Sequence, residues 1–388
     1  MPRSRPSYAA AKPRIFCICS CLSGFPDRSV HLQRLWLTDF RSYSTAELQF
    51  APGLTALLGA NGQGKTNIME AVGYLATLSS FRGAPTEALI RRGAGSAVVR
   101  AEGEREGRSL LIEAEITASG RGRVQVNKQR LARTRDLLGA LRVSVFAPDD
   151  LELVKGGPAE RRRYLDETLV ARKTSLDVLR TDLDRILRQR NALLKQSGGR
   201  LSAEVEATLM VWDAKLVDVG EALADARAAL IEELAPVLRS SYDHVAGQSA
   251  HVDAVYDAPW RESGLGAALG AVRRDELRRG TSLVGPHRDE LQLTIDGMPA
   301  RTHASQGEQR SLALALRLAA HQVVTDSTGT PPILLLDDVF SELDPDRSWA
   351  LLAHLPAGQT LLSSATGLPP GANPEQIFRI EDGTIRPS

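Results

Sequence analysis

Residues 59 to 66 read Gly-Ala-Asn-Gly-Gln-Gly-Lys-Thr, a full match to the spacing G-x-x-x-x-G-K-[ST]. These residue types suit one task, the wrapping of a polyphosphate. Gly59, Gly62 and Gly64 let backbone N–H groups close around an anion without side-chain clash. Ala60, Asn61 and Gln63 complete the loop. Lys65 has the reach for β- and γ-phosphates, and the Thr66 hydroxyl is a hard oxygen ligand for Mg²⁺. A helix starting at Lys65 would aim its positive end at the same anion. ATP with Mg²⁺ is the expected ligand pair.

Two further motifs belong to this chemistry. Ile333 to Leu336 is an apolar run that ends in Asp337-Asp338. A carboxylate at the end of a buried strand suits Mg²⁺, which assigns Asp337. Asp338 stands where an ATPase places its water-activating group, which makes it and Lys65 the expected catalytic residues. An Asp there is one methylene shorter than Glu, so slow hydrolysis is expected, with ATP acting as a timed clamp. Ser305-Gln306-Gly307-Glu308-Gln309-Arg310 precedes the helical run SLALALRLAAHQVV. A polar helix N-terminus is an anion site, and Ser305, Gly307 and Gln309 are the residues expected to meet phosphate.

The elements that must carry these residues can be traced along the chain. Val30 to Leu37 alternates apolar and polar residues, as a half-buried strand does. Ala46–Phe50 and Gly53–Leu58 read as strands, and a helix is expected from Lys65 to about Leu78. Ala97 to Val126 reads as two or three strands with a tight turn at Ser119 to Gly122. Val143–Phe146 is another apolar run. From Ala159 to Leu238 strand patterning is missing. Apolar residues from Leu176 to Leu193, and again from Val205 to Leu230, follow helical spacing, with Arg190 in one seam position. Two helices folded back on each other around Ser197-Gly198-Gly199 are expected. Strand patterning resumes at Thr281, followed by a helix from Gly307 to Thr325, strands at Ile333–Leu336 and Thr360–Ser363, and a hairpin from Gln376 to Ile385.

Composition sets the frame. The chain has 388 residues, 43% of them hydrophobic, and a formal net charge of +1. That suits a soluble chain with a substantial core, and it means that any nucleic-acid binding must come from a local patch. No apolar run approaches the length of a membrane helix. The cysteines, Cys17, Cys19 and Cys21, fall together, so a disulfide framework is excluded for the rest of the chain, as expected in the cytoplasm. Residues 1–29 read as an unstructured extension or as an upstream start given to a chain that begins at Val30. A secretory signal and a cysteine metal site are the alternatives there.

The order of phosphate loop, Ser-x-Gly-x-Gln, acidic strand end and Ser341-Glu342-Leu343-Asp344 resembles the ABC-type ATPases. The separation of Lys65 from Asp337 by a helical region resembles the SMC, RecN and RecF group, as does Arg41 in Asp-Phe-Arg-Ser-Tyr. The segments VHLQRLWLTDFRSY, GANGQGKTNIMEAVGYLATLSSFR, FAPDDLELVKGGPAERRRYLDE, LVGPHRDEL, SQGEQRSLALALRLA and LLLDDVFSELDPDR are similar to those of the RecF family. The resemblance implies an α/β fold, an ABC-type P-loop ATPase head with a mixed sheet and helices. Residues 30–155 and 281–388 would be two halves of one head, and 156–280 an inserted helical arm. It also implies an ATP-bridged homodimer that clamps duplex DNA near gaps and single-strand junctions in repair, replication and the SOS response. Partners would be RecR and RecO, hydrolysis would be weak and DNA-stimulated, and Arg41 would join the nucleotide site. A transporter ATPase would show a compact insert and a late switch His, and a chromosome tether a longer arm; neither is present. No Mg²⁺-sensing Gln is evident near Phe146 to Asp149, and Ser363, Ser364 and Thr366 fill the neighbourhood of the missing His.

Arginine clusters are the candidate DNA contacts. Arg121, Arg123, Lys128, Arg130, Arg133 and Arg135 form one group, and Arg161, Arg162 and Arg163 a second. They suit phosphate contacts, which carry no sequence information. Aromatic residues make up only 5%, so a base-stacking platform is not expected.

Overall fold

The computed structural model describes residues 30–119, 122–247 and 249–388, so the readings made for residues 1–29 lie outside it. The order of elements begins β1 (Val30–Phe40), β2 (Tyr43–Gln49), β3 (Leu54–Leu58), α1 (Lys65–Thr77), α2 (Thr86–Leu89), β4 (Ser96–Arg105), β5 (Arg108–Thr117), β6 (Val124–Val126), β7 (Gln129–Arg130) and β8 (Val143–Phe146). The helical region follows with α3 (Glu152–Lys155), α4 (Pro158–Arg172), α5 (Asp177–Gln196) and α6 (Ala203–Ala246). Next are β9 (Val252–Asp257), α7 (Leu265–Arg279), β10 (Glu290–Ile295), β11 (Met298–Pro299), α8 (Ala300–His303) and α9 (Gln306–Thr328). The chain closes with β12 (Ile333–Asp337), α10 (Pro345–Ala353), β13 (Thr360–Ser364), β14 (Gln376–Glu381) and β15 (Thr384–Pro387).

Two large sheets build the head. One is antiparallel, in the order β2-β1-β4-β5-β6-β7. The other runs β15-β14-β3-β13-β12-β8, parallel except at β15. Helix α1 lies between them: Ile68, Val72 and Leu75 share one core with Leu35, Leu37 and Val99 of the first sheet and Ile333 and Leu335 of the second. The alternate residues of β12, Leu334 and Leu336, face the other way, onto Leu314 and Leu318 of α9. Both faces of β12 are therefore covered, which is why its sequence is an unbroken apolar run. Gln359 joins the two sheets. It is buried, donates from Nε2 to the carbonyls of Leu32 (2.7 Å) and Ala51 (2.8 Å), and accepts from Leu32 N–H.

The tight turn expected at Ser119–Gly122 includes residues 120 and 121, which lie outside the described residues, while two other tight turns are described. Glu106 and Gly107 (φ 53° and 73°) close the β4–β5 hairpin, and Asn127 and Lys128 (φ 49° and 67°) close β6–β7. Both central residues are left-handed, the pattern that matches strand twist in two-residue hairpins. The apolar stretch from Thr281 does not become a strand until Glu290. Gly285 (φ 123°) and Pro286 break it, and Asn191 and Glu276 side chains take the N–H groups of Ser282 and Leu283. Sequence reading also passes over β9, which pairs with β10 in a three-stranded sheet with β11.

Helix α6 is 44 residues long, about 66 Å at 1.5 Å per residue. Its first half packs against α5, as the spacing predicts, and its second half runs into the head against α9. Arg190, in the predicted seam, is fully buried. It is held by Asp213 (2.8 Å), Glu276 (2.6 Å) and Ser282 (2.7 Å), which locks α5, α6 and α7 to the segment before β10.

Candidate nucleotide site

The P-loop leaves the buried end of β3, between β14 and β13, and runs directly into α1. Two of its glycines have structural reasons. A Cβ on Gly59 would stand 2.3 Å from the Ile380 carbonyl. Gly64 has φ 107°, and a Cβ there would meet Tyr43 Oη at 2.6 Å. Tyr43 Oη donates to the Gly64 carbonyl at 3.2 Å, and Asn67 Nδ2 to Ser42 Oγ at 2.9 Å, so the β1–β2 turn braces the start of α1. Gln63 accepts from the backbone N–H of Asp382, which anchors the loop to the β14–β15 turn. Ala60, Asn61 and Gly62 stay exposed, so the face of the loop is open to a ligand.

Lys65 is 5% exposed, and its Nζ donates to the carbonyls of Gly59 (2.6 Å) and Ala60 (2.9 Å). Burial lowers its pKa, and the charges of Asp338 and Asp337 work in the opposite direction. Thr66 Oγ1 donates to Asp337 Oδ1 at 2.9 Å, across 271 residues of sequence. Ser363 Oγ donates to the same oxygen at 2.7 Å. Asp337 is 4% exposed; burial pushes its carboxyl up, while the bonds from Ser363 and Thr66 and the charge of Arg82 pull it down. A hydroxyl and a carboxylate in contact are hard oxygen ligands of the kind Mg²⁺ takes alongside a phosphate. No cluster of three or more His, Cys, Asp or Glu side chains is poised for a metal among the described residues. Asp338 follows in a left-handed conformation, φ 51°; its N–H bonds Ser363 Oγ at 3.0 Å, and its Oδ1 accepts from Ala365 N–H at 3.4 Å.

Ser305 is the N-cap of α9. Its Oγ accepts from Glu308 N–H at 3.3 Å, and Glu308 Oε2 accepts from Ser305 N–H at 2.7 Å, a closed capping box. Gly307 faces the guanidinium of Arg347 on α10. Among the described residues, no hydrogen bond joins this helix start to residues 59–66. Gln309 departs from the expected phosphate contact. It is buried, and its Nε2 donates to the carbonyls of Ala300 (3.0 Å) and Arg301 (3.2 Å), so it fixes α8 against α9.

Arg41 also departs from its expected place at the nucleotide. Its Nε and Nη2 grip the buried Glu70 at 2.7 Å each, and its Nη1 donates to the Ala88 carbonyl at 2.8 Å. Of the candidate DNA contacts, Arg161 is 6% exposed and paired with Glu290 (2.7 Å), with further bonds to the Leu153 and Gly156 carbonyls. That commits it to the core and removes it as a phosphate contact. Arg162 donates to the Asp289 carbonyl, and Arg163 pairs with Glu160 and Glu167 on its own helix. Arg123 lies 3.9 Å from Glu115. Lys128, Arg130 and Arg133 are exposed, and their side chains make no ion pair among the described residues. Arg121 and the Arg135 side chain lie outside the described residues.

Sequence reading named Ser363 only as filling the place of the missing His, and passed over Arg82. Ser363 links Asp337 to Asp338; the signal for it is the parallel register that sets Ser363 opposite Asp337 on the neighbouring strand. Arg82 is exposed just after α1, and its guanidinium has no hydrogen-bond or ion-pair partner among the described residues, yet its charge reaches Asp337. Nothing in its sequence neighbourhood singles it out from other surface arginines.

A mostly parallel sheet that sets a P-loop beside an acidic strand end, with a capped Ser-x-Gly-x-Gln helix elsewhere on the same head, defines an ABC-type ATPase head. Comparison with known proteins narrows the class. The family described as RecF/RecN/SMC N terminal domain matches residues 31–360. A DNA replication and repair protein RecF from Frankia alni is 46% identical over 356 residues, covering 87% of this chain and 93% of that protein. A solved structure of the recombination mediator protein RecF with ATP superposes with a TM-score of 0.86 at 27% identity, covering 93% of this chain and 98% of the other. An Smc head domain from Pyrococcus furiosus has the same fold, with a TM-score of 0.56 at 17% identity, over 93% of this chain and 96% of its own. The chain belongs to the RecF family.

Proposed function

We propose that this protein is an ATP-dependent DNA-binding protein of repair and replication, acting as an ATP-bridged homodimer. Lys65 and the P-loop amides bind the triphosphate, Thr66 and Asp337 hold Mg²⁺, and Asp338 orients and deprotonates the attacking water. The partner's Ser305 and its helix N-terminus cap the γ-phosphate from the other side. The observation that carries this reading is the division of the motifs. Thr66 and Asp337 are in contact within one protomer, while Ser305 stands exposed at a helix start with no bond to that P-loop. A phosphate cap built in this way needs a second copy to complete the site. The related RecF structure with ATP supports the choice of nucleotide.

Residues 30–155 and 281–388 are read as the two halves of the head, with residues 156–280 as the arm. The β9–β10 pairing stitches the arm back to the second half. Among the described residues, Lys128, Arg130 and Arg133 at the edge of the antiparallel sheet are the remaining unpaired candidates for DNA phosphates. In this reading the closed dimer clamps duplex beside a gap, promotes recombinase loading together with RecR and RecO in the cytoplasm, and lets go when slow, DNA-stimulated hydrolysis opens it. No helix among the described residues is long and apolar enough to cross a membrane.

The test separates the steps. Lys65→Met is expected to abolish ATP binding. Ser305→Arg is expected to leave ATP binding intact and stop dimerisation, measured by sedimentation with and without ATP. Asp338→Asn is expected to hold the dimer on DNA. Full ATP-dependent dimerisation of the Ser305→Arg variant would refute the shared site.

A further inference from the structure

The first turn of α9 stands out from the core: Ser305 and Gln306 are exposed, and burial begins only at Gln309. Within that turn Gly307 is helical and has no positive φ, so its backbone does not call for glycine. Glycine inside a helix costs about 0.5–1 kcal/mol relative to alanine. Space accounts for it. A Cβ at Gly307 would stand 3.1 Å from Nη2, 3.2 Å from Nη1 and 3.3 Å from Cζ of Arg347. The guanidinium from α10 therefore lies against the backbone of this turn.

Arg347 makes further bonds on both sides. Its Nε donates to Ser311 Oγ at 3.1 Å, and Ser311 is fully buried. Its Nη1 donates to Asp344, which caps α10 by accepting from the Arg347 backbone N–H at 2.8 Å. A partly exposed ion pair between residues three apart adds little stability by itself. A cation beside a helix N-terminus also works against the helix dipole. Stability alone does not account for this placement.

A second tie runs beside the first. Arg310 Nη1 donates to the Glu342 carbonyl at 3.3 Å, and its Nη2 lies 3.2 Å from Glu342 Oε2. At the other end of the same loop, Ser341 Oγ donates to the Asp338 carbonyl at 2.7 Å. The loop Ser341–Asp344 is thereby fastened to the acidic strand end on one side and to the first two turns of α9 on the other.

We propose that Arg347 is a positioning residue, which holds the exposed first turn of α9 in register with the loop Ser341–Asp344, so that Ser305 and this loop meet a second copy of the chain as one surface. Gly307 leaves the space that the guanidinium needs. This rests on the ATP-bridged dimer given above, in which Ser305 faces the phosphate held by the partner.

The test uses the full chain. ATP affinity is read by equilibrium titration, dimerisation by sedimentation with and without ATP, and order at the helix start by hydrogen exchange over Ser305–Ser311 in the nucleotide-free protomer. Arg347→Met keeps the aliphatic stem and removes the fork. It is expected to weaken ATP-dependent dimerisation about tenfold and to speed exchange over Ser305–Ser311 about tenfold, with ATP affinity changed less than about threefold. Gly307→Ala should displace the guanidinium and weaken dimerisation to a similar degree in the wild-type chain, yet by less than about twofold in the Arg347→Met background. Ser311→Ala should likewise have no further effect there. Thermal midpoints check that each variant is folded. Wild-type dimerisation of Arg347→Met would overturn the proposal. So would a Gly307→Ala effect of equal size in both backgrounds, which would assign the glycine to the nucleotide directly. If the wild-type chain binds ATP without dimerising, the shared-site reading falls and this proposal with it. If it dimerises and Arg347→Met does so equally well, only this proposal falls.

Discussion

Ser363→Ala is the sharpest probe of the acidic strand end. Ser363 is fully buried and uses its hydroxyl twice, donating to Asp337 Oδ1 at 2.7 Å and accepting from Asp338 N–H at 3.0 Å. Alanine removes a bond to a charged oxygen and orphans a backbone N–H. Together these cost about 3 kcal/mol. For a chain of this size that is a fall of roughly 4 °C in thermal midpoint. The neighbour provides the control. Ser364 is as buried but has only a 3.5 Å contact with Thr366, so Ser364→Ala should cost less than about 1 kcal/mol. The second readout is pH. Burial already pushes the Asp337 carboxyl up, and Ser363 is the first of the groups that pull it down. Without the hydroxyl the carboxyl titrates higher still. In the proposed reading Mg²⁺ is held by the ionised Asp337, so the acid limb of Mg²⁺-dependent ATP hydrolysis should move to higher pH in Ser363→Ala and stay in place in Ser364→Ala. Equal thermal midpoints and superimposable pH profiles for the two variants would refute the reasoning.

Two other outcomes follow from buried charge. Arg190→Met leaves Glu276, itself fully buried, without its cation, and should cost about 3–5 kcal/mol in chemical denaturation; a loss below about 1 kcal/mol would mean that the three-way pairing adds nothing. His287 and His321 are both pushed down to about 4 by burial. A histidine depressed in the folded state contributes stability above its unfolded pKa near 6.5, and that stability drains away as pH falls towards 4. Stability should therefore decline between pH 6.5 and 4, by at most about 3.4 kcal/mol for each ring, and the thermal midpoint with it. His321→Gln should flatten part of that slope, and an unchanged slope would exclude His321 as a contributor.

The motifs were legible because their chemistry is local. A P-loop needs glycines, a lysine and a hydroxyl in consecutive order, and a central strand buried on both faces needs an unbroken apolar run. The strand ends at Leu58 and Asp337 and the starts of α1 and α9 follow from such short-range demands. What sequence reading passed over depends on pairing at a distance. The strand β9 is only six residues long, and its partner β10 lies beyond the whole of α7. The stretch from Thr281 to Asp289 has apolar residues of the right kind, yet side chains of α5 and α7 take its backbone N–H groups before another strand can. Arg41 and Gln309 belong to recognisable motifs, and those motifs are where the family resemblance places them. Their side chains nonetheless turn inward, because each finds a buried partner that no local pattern announces.

The same distinction explains why the site is split across the chain. Thr66 and Asp337 are separated by 271 positions, and only the parallel register of β3, β13 and β12 brings them together. Between them α6 runs from the seam with α5, through the bonds of Arg227 to Asp166 and to the Pro286 carbonyl, and onto α9, whose first turn carries Ser305. A long insertion in this position is therefore not a passive decoration on a finished head. Its second half is part of the core on which the Ser305 helix rests, since Leu230, Leu234 and Leu238 of α6 pack in one cluster with Leu312 and Leu316 of α9. A tilt of the arm that moved α6 would have to shift α9 or open that cluster, and interiors packed at this density do not absorb such motion by compression. In the proposed dimer, the α6–α9 core would therefore set the orientation of the helix start that carries Ser305.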